Sequence, residues 1–311
     1  MKNKKVVLIT GGAGLVGSAI KAVSENYENY EFVYTRRKFH DLTKEEDVAR
    51  MYKEVNPDYV IHTAARVGGI GRNLNSPAQQ FYDNILMNSY LIHYAHLHDV
   101  EKLIAFSSVC VFPAGVPTIR ESILHDSPPF PAHKSYAYAK RMVDIQIEAY
   151  KSQYDRNYCS VIPANIYGEN DNFNLEDGHV VPSLIHKCFL AKENNTPFKI
   201  WGDGTPRREF VYSKDIARAC LDLLSKGILP QRVIVSNHEE LEIKQLVEKI
   251  CDIFDYHNVE WMTDKPNGQL RRPSDRTVFD QTFQNFEFTT TNDALRNTIN
   301  WFKDTYPKVR T

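Results

Sequence analysis

Short apolar runs recur along the first half of the chain, and each gives way to a stretch whose apolar positions fall three or four apart. The runs at 5–10, 31–34, 59–62, 103–106 and 159–162 are apolar at successive positions rather than at alternate ones. That is the mark of parallel strands buried on both faces. Between them, 18–24, 43–55, 79–98 and 135 to about 154 read as helices. Strand and helix in regular alternation predict an α/β fold built on a doubly wound parallel sheet.

After residue 168 the rhythm breaks. Residues 169–178 are polar and turn-rich, 180–193 read as a helix, and 198–201 read as a strand that runs into a Gly- and Arg-containing loop to about 211. A helix at 214–224 and a strand at 232–235 return to the first pattern, and the latter is expected to be the last strand of the main sheet. The remainder is mixed and ends in a helix from about 292 to 306. The expected organisation is a dinucleotide-binding domain of 1–168 plus about 212–238. A smaller, mixed substrate domain takes 169–211 plus about 239–311.

Composition narrows the class. The chain has 311 residues, 42% hydrophobic and 25% charged, which suits a soluble globular protein of about two domains. A net charge of −1 argues against a nucleic-acid partner. No apolar run approaches the length of a membrane span, and the start shows no signal-peptide pattern. Five scattered cysteines give neither a disulfide framework nor metal-ligand spacing, so no metal is expected and the compartment is expected to be the cytoplasm.

The first strand runs directly into Gly11-Gly12-Ala13-Gly14-Leu15-Val16-Gly17. Glycines at 11, 14 and 17 allow a tight turn, close approach of a diphosphate and close helix–strand packing. The free N–H groups of the following helix then favour the anion. The second strand ends in Thr35-Arg36-Arg37, where an NAD-selective fold would place a carboxylate on the ribose 2′-OH. An arginine there accommodates the 2′-phosphate of NADP instead, and Arg36 is the better candidate. Asp41, in His40-Asp41-Leu42, offers a carboxylate for an adenine amino group. The small residues Ala64 and Ala65 end the third strand, where a cofactor would lie across it.

The strand at 103–106 leads into Ser107-Ser108-Val109-Cys110-Val111-Phe112-Pro113, a Pro-rich loop follows, and then comes Ser135-Tyr136-Ala137-Tyr138-Ala139-Lys140. Four residues apart on a helix, Tyr136 and Lys140 share a face. An ammonium beside a phenol is expected to lower the phenol pKa from its usual value of about 10. Such a Tyr, assisted by a Ser hydroxyl, can trade a proton with a carbonyl oxygen as hydride moves to or from the carbon. A second Tyr-x-x-x-Lys, from Tyr34 to Lys38, lies at a strand end and follows no Ser-bearing strand. Spacing alone is therefore weak; the order of strand, Ser, loop and helix singles out the pair at 136 and 140.

With these pieces assembled, the chain resembles the extended short-chain dehydrogenase/reductase superfamily over nearly its whole length, and within it the GDP-L-fucose synthase family. The stretches that carry the likeness are Ala64 to Ile70, Ser108 to Pro113, Tyr136 to Lys140, Asn165-Ile166-Tyr167-Gly168, Gly178-His179-Val180-Val181-Pro182, and Trp201 to Phe210. The resemblance implies a triad of Ser108, Tyr136 and Lys140, Ser108 being chosen over Ser107 because it stands two residues before the Cys. It implies that Cys110 and His179 are the acid/base pair for epimerisation beside a C4 ketone, which acidifies the C3 and C5 protons. It adds Pro163, Asn165, Ile166 and His179 to the NADP(H) contacts. Asn165, Lys187, Trp201, Arg208 and Arg272 become ligands of a GDP-sugar, the guanidinium forks suiting its diphosphate.

The expected reaction is NADPH-dependent reduction, with 3,5-epimerisation, of GDP-4-keto-6-deoxy-mannose or a heptose equivalent. Three alternatives stand beside it. One is a C4-reductase alone acting on the heptose. Another is a sugar-nucleotide dehydratase or 4-epimerase, against which Val109-Cys110 replaces the Asp-Glu pair usual in dehydratases. The third is a non-catalytic dinucleotide sensor, which would typically lack the Tyr or Lys. Departures from the family pattern are Arg66, Val109 and a divergent stretch after about 240. A homodimer is expected, with the helices at 79–98 and 135–154 of each subunit forming a four-helix contact.

Overall fold

The structure, a computed structural model, describes residues 4–68, 75–265, 267 and 270–311. A six-stranded, wholly parallel sheet has the order β2-β1-β3-β4-β5-β9. Its strands are β1 (Lys5–Thr10), β2 (Tyr30–Tyr34), β3 (Tyr59–His62), β4 (Lys102–Phe106), β5 (Asn157–Pro163) and β9 (Arg232–Val235). The intervening helices are α1 (Leu15–Val23), α2 (Glu45–Val55), α3 (Pro77–Leu97) and α4 (Lys134–Tyr154). The doubly wound sheet expected from the apolar runs is present.

The period of two along each strand explains why both faces are covered. Val7, Ile9, Ile61, Ile104, Phe106, Cys159 and Val161 pack on one side, against α1 and α6 (Ser213–Ser225). Leu8, Val60, Leu103, Ala105 and Tyr158 point the other way, against α2, α3 and α4. A strand walled in on both sides has no polar face, hence the unbroken runs. Order reverses between β1 and β3, so the carboxyl ends of β1, β3 and β4 open into one crevice, the usual place for a ligand in such sheets.

The second half builds smaller sheets. β6 (Asn165–Tyr167) pairs parallel with β8 (Arg207–Tyr212), and β8 pairs antiparallel with β10 (Glu240–Glu242). β7 (Phe198–Trp201) pairs parallel with β11 (Val259–Met262). α5 (Val180–Glu193), α7 (Ile243–Phe254) and α9 (Thr291–Thr305) share a separate core with them that includes Phe173, Leu184, Phe198, Ile250 and Phe302. A one-and-a-half-turn helix, α8 (Thr277–Thr282), returns to the main sheet through Phe279 and Phe283.

Reading 202–211 as loop missed β8. Its opening Arg207-Arg208-Glu209 lacks an apolar pattern, and its partners lie about thirty to forty-five residues away on either side. α7, by contrast, carries a helical apolar stripe (Leu246, Val247, Ile250, Phe254) within the stretch left unassigned. The main-sheet elements fall within three residues of the expected bounds.

Candidate active site

The glycine turn is built as a cradle. Gly11 has φ +69°, and a Cβ there would fall 2.8–2.9 Å from Thr63 Oγ1 and the Ala64 backbone. A Cβ at Gly17 would fall 2.4 Å from the Gly11 carbonyl oxygen, so only glycine lets α1 pack this tightly on its own entry turn. Gly14 is the N-cap of α1, and no side chain caps it. The first N–H groups of α1, at Leu15 and Val16, are thus uncapped donors at the positive end of a helix. These features fit a dinucleotide diphosphate. Ala64 and Ala65 sit opposite, held by Thr63 Oγ1 donating to the Thr10 carbonyl at 2.7 Å. Beneath them His62 is fully buried between Thr10 Oγ1 and Asn88 Oδ1, and burial pushes its pKa down to about 3.

At the end of β2 the two arginines separate. Arg37 pairs with Asp41 at 3.5 Å, whereas Arg36 is exposed and makes no ion pair among the described residues. Asp41 is more committed than its sequence context suggested. Oδ1 accepts from both the backbone N–H and the hydroxyl of Thr43, and Oδ2 faces Arg37. Leu42 beside it is buried.

The serines also separate. Ser107 is 4% exposed and its hydroxyl approaches the Lys140 carbonyl at 3.5 Å. Ser108 is half-buried and caps a short 3₁₀ turn, Val109–Val111, accepting from the Cys110 N–H at 3.4 Å. The structure therefore leaves Ser108, not Ser107, open toward the crevice. Two guanidinium groups hold the turn that carries Cys110. Arg141 of α4 donates to the Val111 carbonyl at 2.7 Å, and Arg272 donates to that of Phe112 at 2.9 Å.

Tyr136 and Lys140 lie on α4 as expected, one turn apart. The electrostatic expectation for Tyr136 does not hold: its phenol is pushed well above the usual value, not below it. Burial is the main cause, with the negative charge that Cys110 can acquire as a second. Lys140 is 1% exposed, and its ammonium donates to the Phe106 carbonyl at 2.8 Å, pinning α4 to the end of β4. Burial brings the pKa of Lys140 down to about 8. Burial pushes the Cys110 thiol up, opposed by the Ser108 hydroxyl and the charges of Arg272 and Lys140. Cys110 therefore interacts with Ser108, Tyr136, Lys140 and Arg272.

His179 stands on another element, as the N-cap of α5. Its Nδ1 is 3.9 Å from Asp171 Oδ1. Of the other positions, Pro163 is buried at the end of β5 and Ile166 packs against the main core. Asn165 is exposed, its amide donating to the Glu209 carbonyl at 2.8 Å. Arg208 and Arg272 are half-buried, and burial lowers both pKa values; Arg208 also adds its charge against Arg272. Lys187 and Trp201 form a separate pair, the ammonium 5.7 Å from the ring centroid. Together with Leu175 and Leu190 they line a cavity of about 360 Å³. Of the Val-Gly-Gly-Ile loop, Gly69 and Ile70 lie outside the described residues.

Three residues that the sequence did not single out matter here: Arg141, Asp171 and Glu209. Glu209 is 4% exposed and accepts from both the N–H and the hydroxyl of Ser274, fixing the Arg272 segment beside β8. Only its position next to Arg208 pointed to it. Nothing in the sequence around Arg141 or Asp171 marks them.

The glycine cradle, the Ser/Tyr/Lys geometry and the switch-point crevice together define a dinucleotide-dependent enzyme of the short-chain type. The chain belongs to the NAD dependent epimerase/dehydratase family, whose pattern matches residues 7–235. Over 99% of its length it is 35% identical to a GDP-L-fucose synthase from Dictyostelium discoideum, covering 98% of that protein. It is 29% identical to a GDP-L-colitose synthase from Yersinia pseudotuberculosis, over 88% of this chain and 91% of that one. The crystal structure of a GDP-L-fucose synthetase from Naegleria fowleri bound to NADP superposes with a TM-score of 0.93 at 34% identity, covering 100% of this chain and 96% of the other.

Proposed function

We propose that this protein reduces the C4 ketone of a GDP-4-keto-6-deoxy sugar with NADPH after epimerising C3 and C5, with GDP-4-keto-6-deoxy-mannose as the sugar nucleotide. The observation that carries the reading is the grouping of Cys110 with Ser108, Tyr136, Lys140 and Arg272 at the carboxyl end of β4. A thiol among those groups supplies the proton exchange that epimerisation needs and that reduction alone does not.

Gly11, Gly14, Leu15, Val16 and Gly17 would hold the diphosphate of the dinucleotide, and Arg36 its 2′-phosphate. When bound, NADPH supplies the hydride. Cys110 and His179 exchange protons at C3 and C5, where the adjacent ketone stabilises the carbanion. Tyr136 then gives its proton to O4, and Ser108 hydrogen-bonds the same oxygen. A phenol pushed up by burial suits this direction: it stays protonated until negative charge develops on O4. Lys140, positive below about 8, steadies the phenolate that remains. Arg208 and Arg272 would take the GDP diphosphate, and Lys187 and Trp201 would contact the nucleotide from their own groove.

The homodimer belongs to this reading. α3 and α4 lie side by side and expose Phe81, Tyr82, Leu97, Met142, Ile145 and Tyr154, apolar side chains that a second copy would cover. All five cysteines are free thiols, in keeping with a reducing compartment such as the cytoplasm.

The test is incubation with NADPH and a panel of GDP-4-keto-6-deoxy hexoses and heptoses, with product stereochemistry read by NMR. Absence of NADPH oxidation across the panel removes the reductase reading. Absence of deuterium at C3 and C5 in deuterated water, with oxidation intact, removes the epimerase half.

A further inference from the structure

Asp171 lies in the loop between β6 and α5 and is 1% exposed. Oδ1 accepts from the Asn172 N–H at 2.7 Å and faces His179 Nδ1 at 3.9 Å. Oδ2 is buried with no hydrogen-bond partner. A carboxylate taken out of water in this way is costly unless a cation faces it. Among the described residues the group that does so is His179.

His179 sits where a positive charge is otherwise unwelcome. It is the N-cap of α5, and the positive end of a helix disfavours a cation. Burial also works against the charged ring, as does Arg310 from the C-terminal tail. Even so, Asp171 outweighs burial and Arg310 and raises the imidazole pKa above its ordinary value. About half of the His179 side chain still meets solvent, so the ring is not part of the core.

The loop between the two residues is tightly held. A Cβ at Gly178 would fall 2.4 Å from the Asn174 carbonyl oxygen and 2.7 Å from that of Asn172. Asn174 Oδ1 accepts from the N–H groups of Glu176 and Asp177, and Ser183 Oγ donates to the Leu175 carbonyl. The Phe173 N–H donates to the Arg310 carbonyl, and His186 Nδ1 lies 2.7 Å from the Phe173 carbonyl oxygen. These contacts fix the spacing between carboxylate and ring before any substrate arrives.

We propose that Asp171 is a positioning residue for His179: it faces the Nδ1 edge of the ring, so that Nε2 is the atom that exchanges protons with the sugar. This rests on the epimerase half of the proposed function. In the step it supports, Nε2–H is cleaved and a C–H bond forms at the carbanion carbon. The neutral ring keeps its Nδ1–H toward Asp171 and regains a proton at Nε2 from water.

The experiment is a comparison of the intact enzyme with Asp171→Asn and Asp171→Glu. It follows the His179 ring by NMR titration and deuterium entry at C3 and C5 against pH. The imidazolium is present below the folded-state midpoint and is lost as pH rises through it. In Asp171→Asn the midpoint therefore moves to lower pH, and the decline of exchange moves with it. At neutral pH exchange falls roughly tenfold. Asp171→Glu recovers part of the loss, and NADPH oxidation with an already epimerised substrate keeps its rate. An unmoved midpoint, or loss of reduction in the same proportion as exchange, overturns the assignment. So does a wild-type His179 that titrates at or below the ordinary imidazole value, a measurement that needs no variant to fold. If the wild-type enzyme shows no exchange although the variant lowers the midpoint, the pairing stands and the epimerase reading falls.

Discussion

The turn after β4 and the arginine cluster of the second half both face the crevice, but they are built differently. The turn is anchored to the sheet. Ser107 N–H donates to the Val161 carbonyl, Lys140 to that of Phe106 and Arg141 to that of Val111. Lys140 is buried and Cys110 and Tyr136 are half-buried, and burial dominates the pKa values of all three. The second cluster hangs on short strands and long-range ion pairs such as Arg271–Glu240 and Arg207–Glu242. Trp201, beside Lys187, is 62% exposed. Bond-making needs groups whose proton affinities are fixed in advance, and low dielectric achieves that. Recognition of a charged nucleotide needs cationic donors with a face left open to it, and Arg208 and Arg272 are half-buried rather than enclosed.

If that contrast is right, changes at the turn should alter rate and changes at the cluster should alter affinity. Tyr136→Phe is the hardest test: NADPH oxidation should drop by about 10²–10⁴-fold while NADPH still binds, as fluorescence titration would show. Arg208→Ala should raise the KM for the GDP-sugar about ten- to a hundredfold with little change in kcat, from loss of one charge-assisted contact. Arg272→Ala should do the same and also slow deuterium entry at C3 and C5, because it holds the Phe112 carbonyl beside Cys110 as well. Equal effects from the two would show that the clamp and the turn are not linked through Arg272.

The pH dependence sharpens the same point. Lys140 has a folded-state pKa near 8, below its usual value, so the ammonium is present below that pH and lost above it. For reduction, kcat/KM should decline about tenfold per unit above pH 8, and Lys140→Met should lower the plateau and abolish the decline. Smaller still, Arg36→Ala should cut the preference for NADPH over NADH about tenfold, and Arg37→Ala should do less because Arg37 is already paired with Asp41. Trp201→Ala should cost only a few-fold in KM, the scale of an exposed cation–ring contact.

The legible parts were those fixed by neighbours in the chain. Strand 59–62, helix 180–193 and strand 198–201 were read to their ends, because apolar period and local punctuation define them. The glycine turn was legible for the same reason, since a positive φ at Gly11 and a 2.4 Å approach at Gly17 admit no other residue. β8 was not legible, as its strand character comes from pairing with β6 and β10.

Chemistry followed the same division. The order of residues placed Tyr136 and Lys140 on one face of one helix, since helical spacing is a local rule. Which serine faces the crevice, which arginine is left unpaired and which way the Tyr136 proton affinity moves depended on the surroundings each side chain acquires on folding. Burial and partner charge are set by segments far apart in the chain, as when Glu209 secures Ser274 or Asp171 faces His179. The amino-acid sequence therefore determined the sheet, its cradle and the placing of Tyr136 and Lys140 on one helix face. The tertiary structure decided their ionisation and their aim, because a local pattern carries no record of the dielectric and charges that distant segments bring together.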